Sequence, residues 1–157
     1  MSFAAATLPL PAYLPEDRSL GTEAEDLRDL LREAVVPTGA ERASKTLSRL
    51  LDALKHAKDS HGTDVSFGVF YKTLQFMISL PAELPLPIVV VESEEEIGLD
   101  WDEDPQRILS LTIDNSDRIG YSALFGREPI YGRVEYIHGL PETLQYVLAR
   151  LYPSAQL

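Results

Sequence analysis

The spacing of the apolar residues changes from a helical period to a strand period at a proline-rich segment, residues 81–87, near the middle of the chain. Before this segment, Phe67, Phe70 and Leu74 recur at intervals of three and four residues, as on one face of an α-helix. After it, residues 97–101 alternate apolar side chains with glycine and aspartate, as in a strand with one buried face. The change predicts an α+β fold whose helical part precedes its sheet.

The first 20 residues contain several prolines and alanines and show no periodicity, so we predict an extended arm over residues 1–20. A single α+β domain is predicted over residues 21–157, with a helical part at 21–80 and a sheet plus C-terminal helix at 84–157. Its first helix is predicted to begin at the capping box of Thr22 and Glu25.

Two further helices are predicted before the prolines. One begins at a capping signal over residues 38–41, buries Leu47, Leu50 and Leu54, and ends at Gly62. The next begins near one of two polar residues, Asp64 or Ser66. Because the loops between them are short, these helices are expected to be antiparallel neighbours.

Strands are predicted for the second half of the chain. The short β-branched run at 88–91 is followed by alternating segments at 97–102, 109–113, 119–125 and 130–136. Turns are predicted at 114–117 and 126–129, and a last helix begins at Pro141 and ends before Pro153. The fold class is therefore α+β, with N-terminal helices packed on a four- to five-stranded antiparallel meander sheet and a C-terminal helix.

The most unusual segment combines the second alternating strand with a dense run of negative charge. Eight acidic residues and no basic one fall within thirteen positions: Glu92, Glu94, Glu95, Glu96, Asp100, Asp102, Glu103 and Asp104. The apolar residues between them, ending in Trp101, predict a strand with a buried face. We therefore predict a folded anionic surface with an aromatic residue buried beneath it.

The charge balance limits the classes of partner. The chain has a formal net charge of −11. Direct binding to nucleic acid requires clustered lysine and arginine, and so does binding to anionic membrane. Both are disfavoured, whereas a basic protein partner is favoured. The predicted partner-binding residues are the eight acids together with Tyr131, the aromatic residue most strongly predicted to be exposed on the last strand.

Catalysis and cofactor binding are not expected. The chain has no cysteine, which excludes disulfides, thiolate catalysis and cysteine-based zinc sites. His56, His61 and His138 are not spaced as ligands of one metal, and neither a nucleophile elbow nor a phosphate-binding glycine loop is present. We therefore predict neither an enzyme nor a bound cofactor.

A metal site remains an alternative, because Asp100, Asp102 and Asp104 have the spacing with which some calcium loops converge their oxygen ligands. Pro105 stands where such a loop needs glycine, and Leu111 where it needs a bidentate glutamate. This alternative would make the chain a metal-binding module or a metal-dependent hydrolase.

Several stretches carry a resemblance to a known group. These are Glu96-Ile97-Gly98-Leu99-Asp100-Trp101, Ile108-Leu109-Ser110-Leu111-Thr112-Ile113, Ile119-Gly120-Tyr121-Ser122-Ala123-Leu124-Phe125-Gly126 and Tyr131-Gly132. Over about residues 66–150 the chain resembles small uncharacterised bacterial proteins of mobile-element and defence gene neighbourhoods. The resemblance implies an antitoxin- or immunity-like partner of a toxin or a defence nuclease, and it carries no catalytic motif.

The leading hypothesis is thus a non-catalytic acidic module that binds or neutralises a basic protein. A second is a phage-type, anti-CRISPR-like inhibitor that mimics the charge of nucleic acid. A homodimer is also considered, because an exposed edge strand at 88–91 or 130–136 could pair with a second copy. Neither a signal peptide nor a membrane span is evident in the sequence, so a cytoplasmic location is expected.

Overall fold

The computed structural model describes residues 40–155. The predicted arm at 1–20 and the predicted helix beginning at Thr22 lie outside the described residues. Three helices and five strands are described, in the order helix, helix, five strands, helix. This is the predicted α+β class.

The two predicted helices before the prolines are confirmed as α1 (Ala40–His61) and α2 (Phe67–Ser79). Gly62 ends α1 with a φ of +67° and donates its N–H to the carbonyl of Lys58 at 2.9 Å, which is the left-handed C-terminal cap that glycine favours. The last helix, α3 (Glu142–Leu151), follows Pro141 as predicted.

The strands form one antiparallel sheet in sequential order, so the predicted meander is confirmed. The strands are β1 (Ile88–Ser93), β2 (Glu96–Asp104), β3 (Arg107–Asp114), β4 (Arg118–Phe125) and β5 (Glu128–Glu135). The predicted strand ends at residue 102, but β2 extends to Asp104, which pairs with Arg107 across an irregularity.

The predicted turn at 126–129 is too long. Gly126 has a φ of +66°, and Phe125 pairs directly with Glu128, so two residues connect β4 to β5. Glycine at the first position of a two-residue hairpin loop matches the twist of the flanking strands. Glu128 and Pro129 therefore belong to β5, where proline is tolerated because β5 is an edge strand.

All three helices contribute to one hydrophobic core on one face of the sheet. The inward side chains of β2 include Leu99, which is fully buried, and Trp101, which is 2 % exposed. Trp101 also donates its indole N–H to the carbonyl of Pro85 at 2.9 Å. The prediction of a buried aromatic residue beneath the acidic strand is confirmed.

Cationic side chains of the helices bind carbonyls of the irregular segments. Arg42 donates to the carbonyls of Pro81, Ala82 and Leu84 at 2.8–3.1 Å. Arg49 likewise donates to two carbonyls of the same segment, at residues 86 and 87. These contacts satisfy backbone acceptors that have no strand partner, and they fix the proline-rich segment against α1.

Among the described residues, no helix is long and apolar enough to cross a membrane.

Candidate partner-binding surface

The face of the sheet opposite the helices, called here the outer face, is not covered by any described residue. It is formed by alternate residues of each strand, which the register aligns in rows across the sheet. The central row runs from β1 to β5 through Ile88, Asp100, Ser110, Ser122 and Tyr131. Side chains are small at the centre of this row and large at both of its ends.

Three of the predicted acidic residues lie together on the outer face, around a glycine. Glu96 and Asp100 are partly buried and flank Gly98 on β2. Glu92 of β1 approaches from the side, since a Cβ atom placed on Gly98 would lie 3.4 Å from its Oε1 atom. Glu92, Glu96 and Asp100 are called here the acidic face. Glu96 and Asp100 are four residues apart, or about 13 Å along an extended strand.

Glu94 and Glu95 lie in the turn between β1 and β2, and both are held by the start of α2. The backbone N–H of Ser66 donates to the carbonyl of Glu94 at 2.8 Å. The carboxylate of Glu95 accepts hydrogen bonds from the Ser66 hydroxyl and from the side-chain amide of Asn115. This turn is therefore fixed to α2 and to the turn between β3 and β4.

The remaining acids, Asp102, Glu103 and Asp104, are exposed at the other end of β2. Glu96 and Asp104 are eight residues apart, or about 26 Å along the strand. Burial raises the pKa of Tyr152, and the carboxylates of Glu103 and Asp102 raise it further, so these two acids lie near the end of α3. The structure thus divides the eight acids into three sets, namely the acidic face, the two glutamates of the turn, and the three exposed acids at the end of β2.

None of the eight acids forms an ion pair with another described residue. The acidic partners in ion pairs of this part of the chain are Glu41, Asp64, Asp114 and Glu128. The acidic face is therefore an accumulation of negative charge that basic residues of 40–155 do not neutralise.

The prediction that Tyr131 is exposed is confirmed, since 78 % of its surface is accessible. It does not lie beside the acids. Tyr131 shares a row with Asp100, but three strand spacings separate them, which is about 14 Å. Ile88, at the opposite end of this row, is 52 % exposed and was not predicted as a site residue. Its position opposite Asp100 depends on the register of β1, which the β-branched run at 88–91 does not specify.

The β3–β5 side of the outer face differs from the acidic face because it contains an ion pair. Arg133 donates to the carboxylate of Asp114 at 3.0 Å. Burial favours a higher pKa for Asp114, but hydrogen bonds from Ser116 and the charges of Arg133 and Lys72 outweigh it, so that its pKa lies below the ordinary value. Lys72 also donates to the carbonyls of Asp114, Ser116 and Arg118, and thereby fixes the turn between β3 and β4.

The geometry offers no support for the metal alternative. Among residues 40–155, no group of three histidine, cysteine, aspartate or glutamate side chains is close enough to hold a metal ion, and this includes Asp100, Asp102 and Asp104. The three histidines, His56, His61 and His138, are exposed.

A comparison of the chain with protein-family models found no match, and comparisons with curated proteins and with solved structures found none either. The resemblance to bacterial defence-associated proteins therefore stays a prediction.

Proposed function

We propose that the chain is a non-catalytic protein-binding module whose acidic face binds a basic partner protein. The observation that carries the proposal is that Glu92, Glu96 and Asp100 lie together on a sheet face that no residue of 40–155 covers, and that they form no ion pair with any residue in that range. Charge arranged in this way attracts a basic protein over a distance and orients it on approach.

The backbone beneath the acidic face supports binding because it is fixed before the partner arrives. β2 is paired on both sides, with β1 and β3, and its inward side chains are buried. Two acids of the face therefore stand on a strand whose position is set by the core. Little backbone ordering is then required on association, which lowers the cost of binding.

The shape of the outer face, with small side chains at its centre and large ones at both ends, favours a partner that presents a protruding segment. Gly98, Ser110 and Ser122 leave the centre low, while Ile88 and Tyr131 stand exposed at the ends of the central row. We propose that lysine or arginine side chains of the partner contact the acidic face and that Tyr131 packs against its apolar part. Tyrosine is among the residues that often dominate interface energies.

The resemblance noted in the sequence suggests the purpose of such binding. It favours a toxin or a defence nuclease as the basic partner, with this chain as its neutralising protein in the cytoplasm. Direct contact with nucleic acid is not part of the proposal, since the uncompensated charge of the acidic face would repel phosphate.

The proposal is tested by affinity capture from a lysate of the producing cells with three versions of the full chain. These are the wild type, a variant with the acidic face neutralised (Glu92→Gln, Glu96→Gln, Asp100→Asn), and a control with the same charge change on the helices (Asp52→Asn, Asp59→Asn, Glu142→Gln). We expect one basic protein to be retained by the wild type and the control at low salt, and lost with the neutralised variant. Equal retention by all three versions would reject the acidic face as the binding surface.

The same capture separates neutralisation from mimicry of nucleic acid. If the chain imitates the charge of nucleic acid, labelled duplex and this chain must compete for the captured partner. Displacement of the duplex would favour the anti-defence alternative, and simultaneous binding of both would reject it.

A further inference from the structure

The last strand of the sheet, β5, has an edge that pairs with no other strand of the part of the chain described. The register and hydrogen bonds between β4 and β5 define which residues of β5 direct their backbone N–H and carbonyl groups toward β4. Tyr136 donates its N–H to the carbonyl of Asp117 at 2.8 Å, and the hairpin closes with Phe125 paired to Glu128. In an antiparallel pair the bonded residues alternate, so the even-numbered residues of β5 bond to β4. The N–H and carbonyl groups of Tyr131, Arg133 and Glu135 therefore point away from the sheet.

This edge is suited to pairing with a second copy because its charges complement each other. In an antiparallel pair of β5 strands with Val134 on the twofold axis, Arg133 stands opposite Glu135 of the second copy, and Glu135 opposite its Arg133. The backbone groups of these residues are the outward ones on both strands. Cross-strand pairs of opposite charge stabilise a sheet.

The neighbouring registers are less favourable. Moving the axis to Arg133 places two Arg133 side chains opposite each other, and moving it to Glu135 does the same with two glutamates. Like charges directly opposite destabilise a strand pair. An axis at Gly132 brings Glu135 opposite Pro129, which has no N–H to donate. The sequence of β5 thus favours one self-complementary register.

Exposed apolar residues extend the same arrangement. Tyr131 and Ile137 are 78 % and 76 % exposed. With Val134 on the axis, the register brings Tyr131 of one copy opposite Ile137 of the other, which follows the end of β5 by two residues. Burial of these two side chains is a gain that the isolated chain does not obtain.

The opposite edge of the sheet is a poorer site for self-association. β1 contacts α1 and borders the acidic strand β2. Pairing through β5 instead leaves the two β2 strands seven strand spacings apart, about 33 Å, which is well beyond the screening length of about 8 Å in physiological salt. The net charge of −11 per chain therefore opposes pairing through β5 less than pairing through β1.

We infer that the chain forms a twofold-symmetric homodimer in which two β5 strands pair antiparallel, with Arg133 and Glu135 of each copy opposite Glu135 and Arg133 of the other. The product is a continuous ten-stranded sheet that carries one acidic face toward each end. This inference does not depend on the proposed basic partner, but it assigns Tyr131 to the contact between copies, so the contact of Tyr131 with a partner and its contact in the dimer are alternatives.

The test is sedimentation equilibrium of the full chain over a range of concentrations, with two single charge reversals and their combination. Arg133→Glu and Glu135→Arg each place like charges opposite one another in both symmetric pairs. We expect each to weaken the dimer by about tenfold or more, and the combined variant, which restores opposite charges, to recover dimerisation. Arg127→Glu, in the exposed turn before β5, is the control with the same charge change as Arg133→Glu, and we expect it to dimerise like the wild type.

Circular dichroism of each variant separates dissociation from unfolding, because Arg133 also pairs with Asp114 within one chain. If Arg133→Glu does not fold, Glu135→Arg decides the question by itself, because the combined variant carries the same substitution at Arg133. A wild-type chain that stays monomeric at the highest concentration would overturn the inference. So would a dimer that neither reversal weakens, or one that the combined variant fails to restore.

Discussion

Neighbouring residues of β2 have opposite surroundings. Leu99 is fully buried between the sheet and the helices, whereas Asp100, the next residue, lies partly exposed on the outer face. The same alternation runs through β3, where Leu109, Leu111 and Ile113 are buried in the core and the residues between them are partly exposed on the outer face. Stability and recognition therefore reside in different side chains of the same strand, and we expect that each can be changed without the other.

The largest expected effect is on the core face. Leu99→Ala removes most of a fully buried side chain and leaves a cavity, so it should lower the free energy of unfolding by about 2–5 kcal/mol. Asp100→Asn, one residue away, should change it by no more than about 0.5 kcal/mol. Urea unfolding followed by circular dichroism measures both. Effects of similar size would contradict the separation of the two faces.

Two glycines on adjacent strands provide a second contrast. A Cβ atom on Gly132 would lie 2.8 Å from the Tyr121 hydroxyl and 3.0 Å from its ring, on the core face. On Gly120 of the outer face the nearest atom would be the Cβ of Thr112, at an ordinary 3.5 Å. We expect Gly132→Ala to lower the free energy of unfolding by about 1–3 kcal/mol, and we expect Gly120→Ala to have little effect on it. The reverse order would show that the faces are wrongly assigned.

Alkaline pH tests the aromatic part of the core. Burial, together with Tyr71, raises the pKa of Tyr136 from 10.0 to about 12. The ring of Tyr136 packs edge-on against that of Phe76, with 5.8 Å between the ring centroids. Because the folded pKa is the higher one, the stability contributed by the neutral hydroxyl is present below pH 10 and is lost as the pH rises toward 12. Between these values wild type should lose more stability than Tyr136→Phe, as measured by urea unfolding at each pH. Equal losses of stability in wild type and Tyr136→Phe would mean that the Tyr136 hydroxyl is exposed to solvent in the folded chain.

The smallest effect on stability is expected from the acidic face itself. Neutralising Glu92, Glu96 and Asp100 removes no ion pair between described residues and reduces mutual repulsion. Thermal unfolding of this triple variant should therefore stay close to wild type or rise slightly. A marked loss of stability would mean that these carboxylates stabilise the fold, which would weaken the case that they serve recognition.

The residues of the core face can be predicted from the sequence because the alternation of apolar residues within a single strand identifies them. Alternation in β2 correctly placed Trp101 inside, and the glycine after α1 marked the end of that helix. The outer face depends on register between strands, which local pattern does not supply. For this reason the sequence predicts one surface for the eight acids, although the length of β2 separates Glu96 from Asp104. The contacts of Arg42 with carbonyls about 40 residues away are equally invisible to local pattern.

The central claim is that uncompensated charge on the acidic face drives binding of a basic partner. Its most direct test is the association rate constant of the captured partner, measured at several ionic strengths with the wild type, the neutralised triple variant and the helix control. We expect the triple variant to associate more slowly at low salt and with a weaker dependence on salt, while the control follows the wild type. Rates and salt dependence that are the same for all three chains would contradict it.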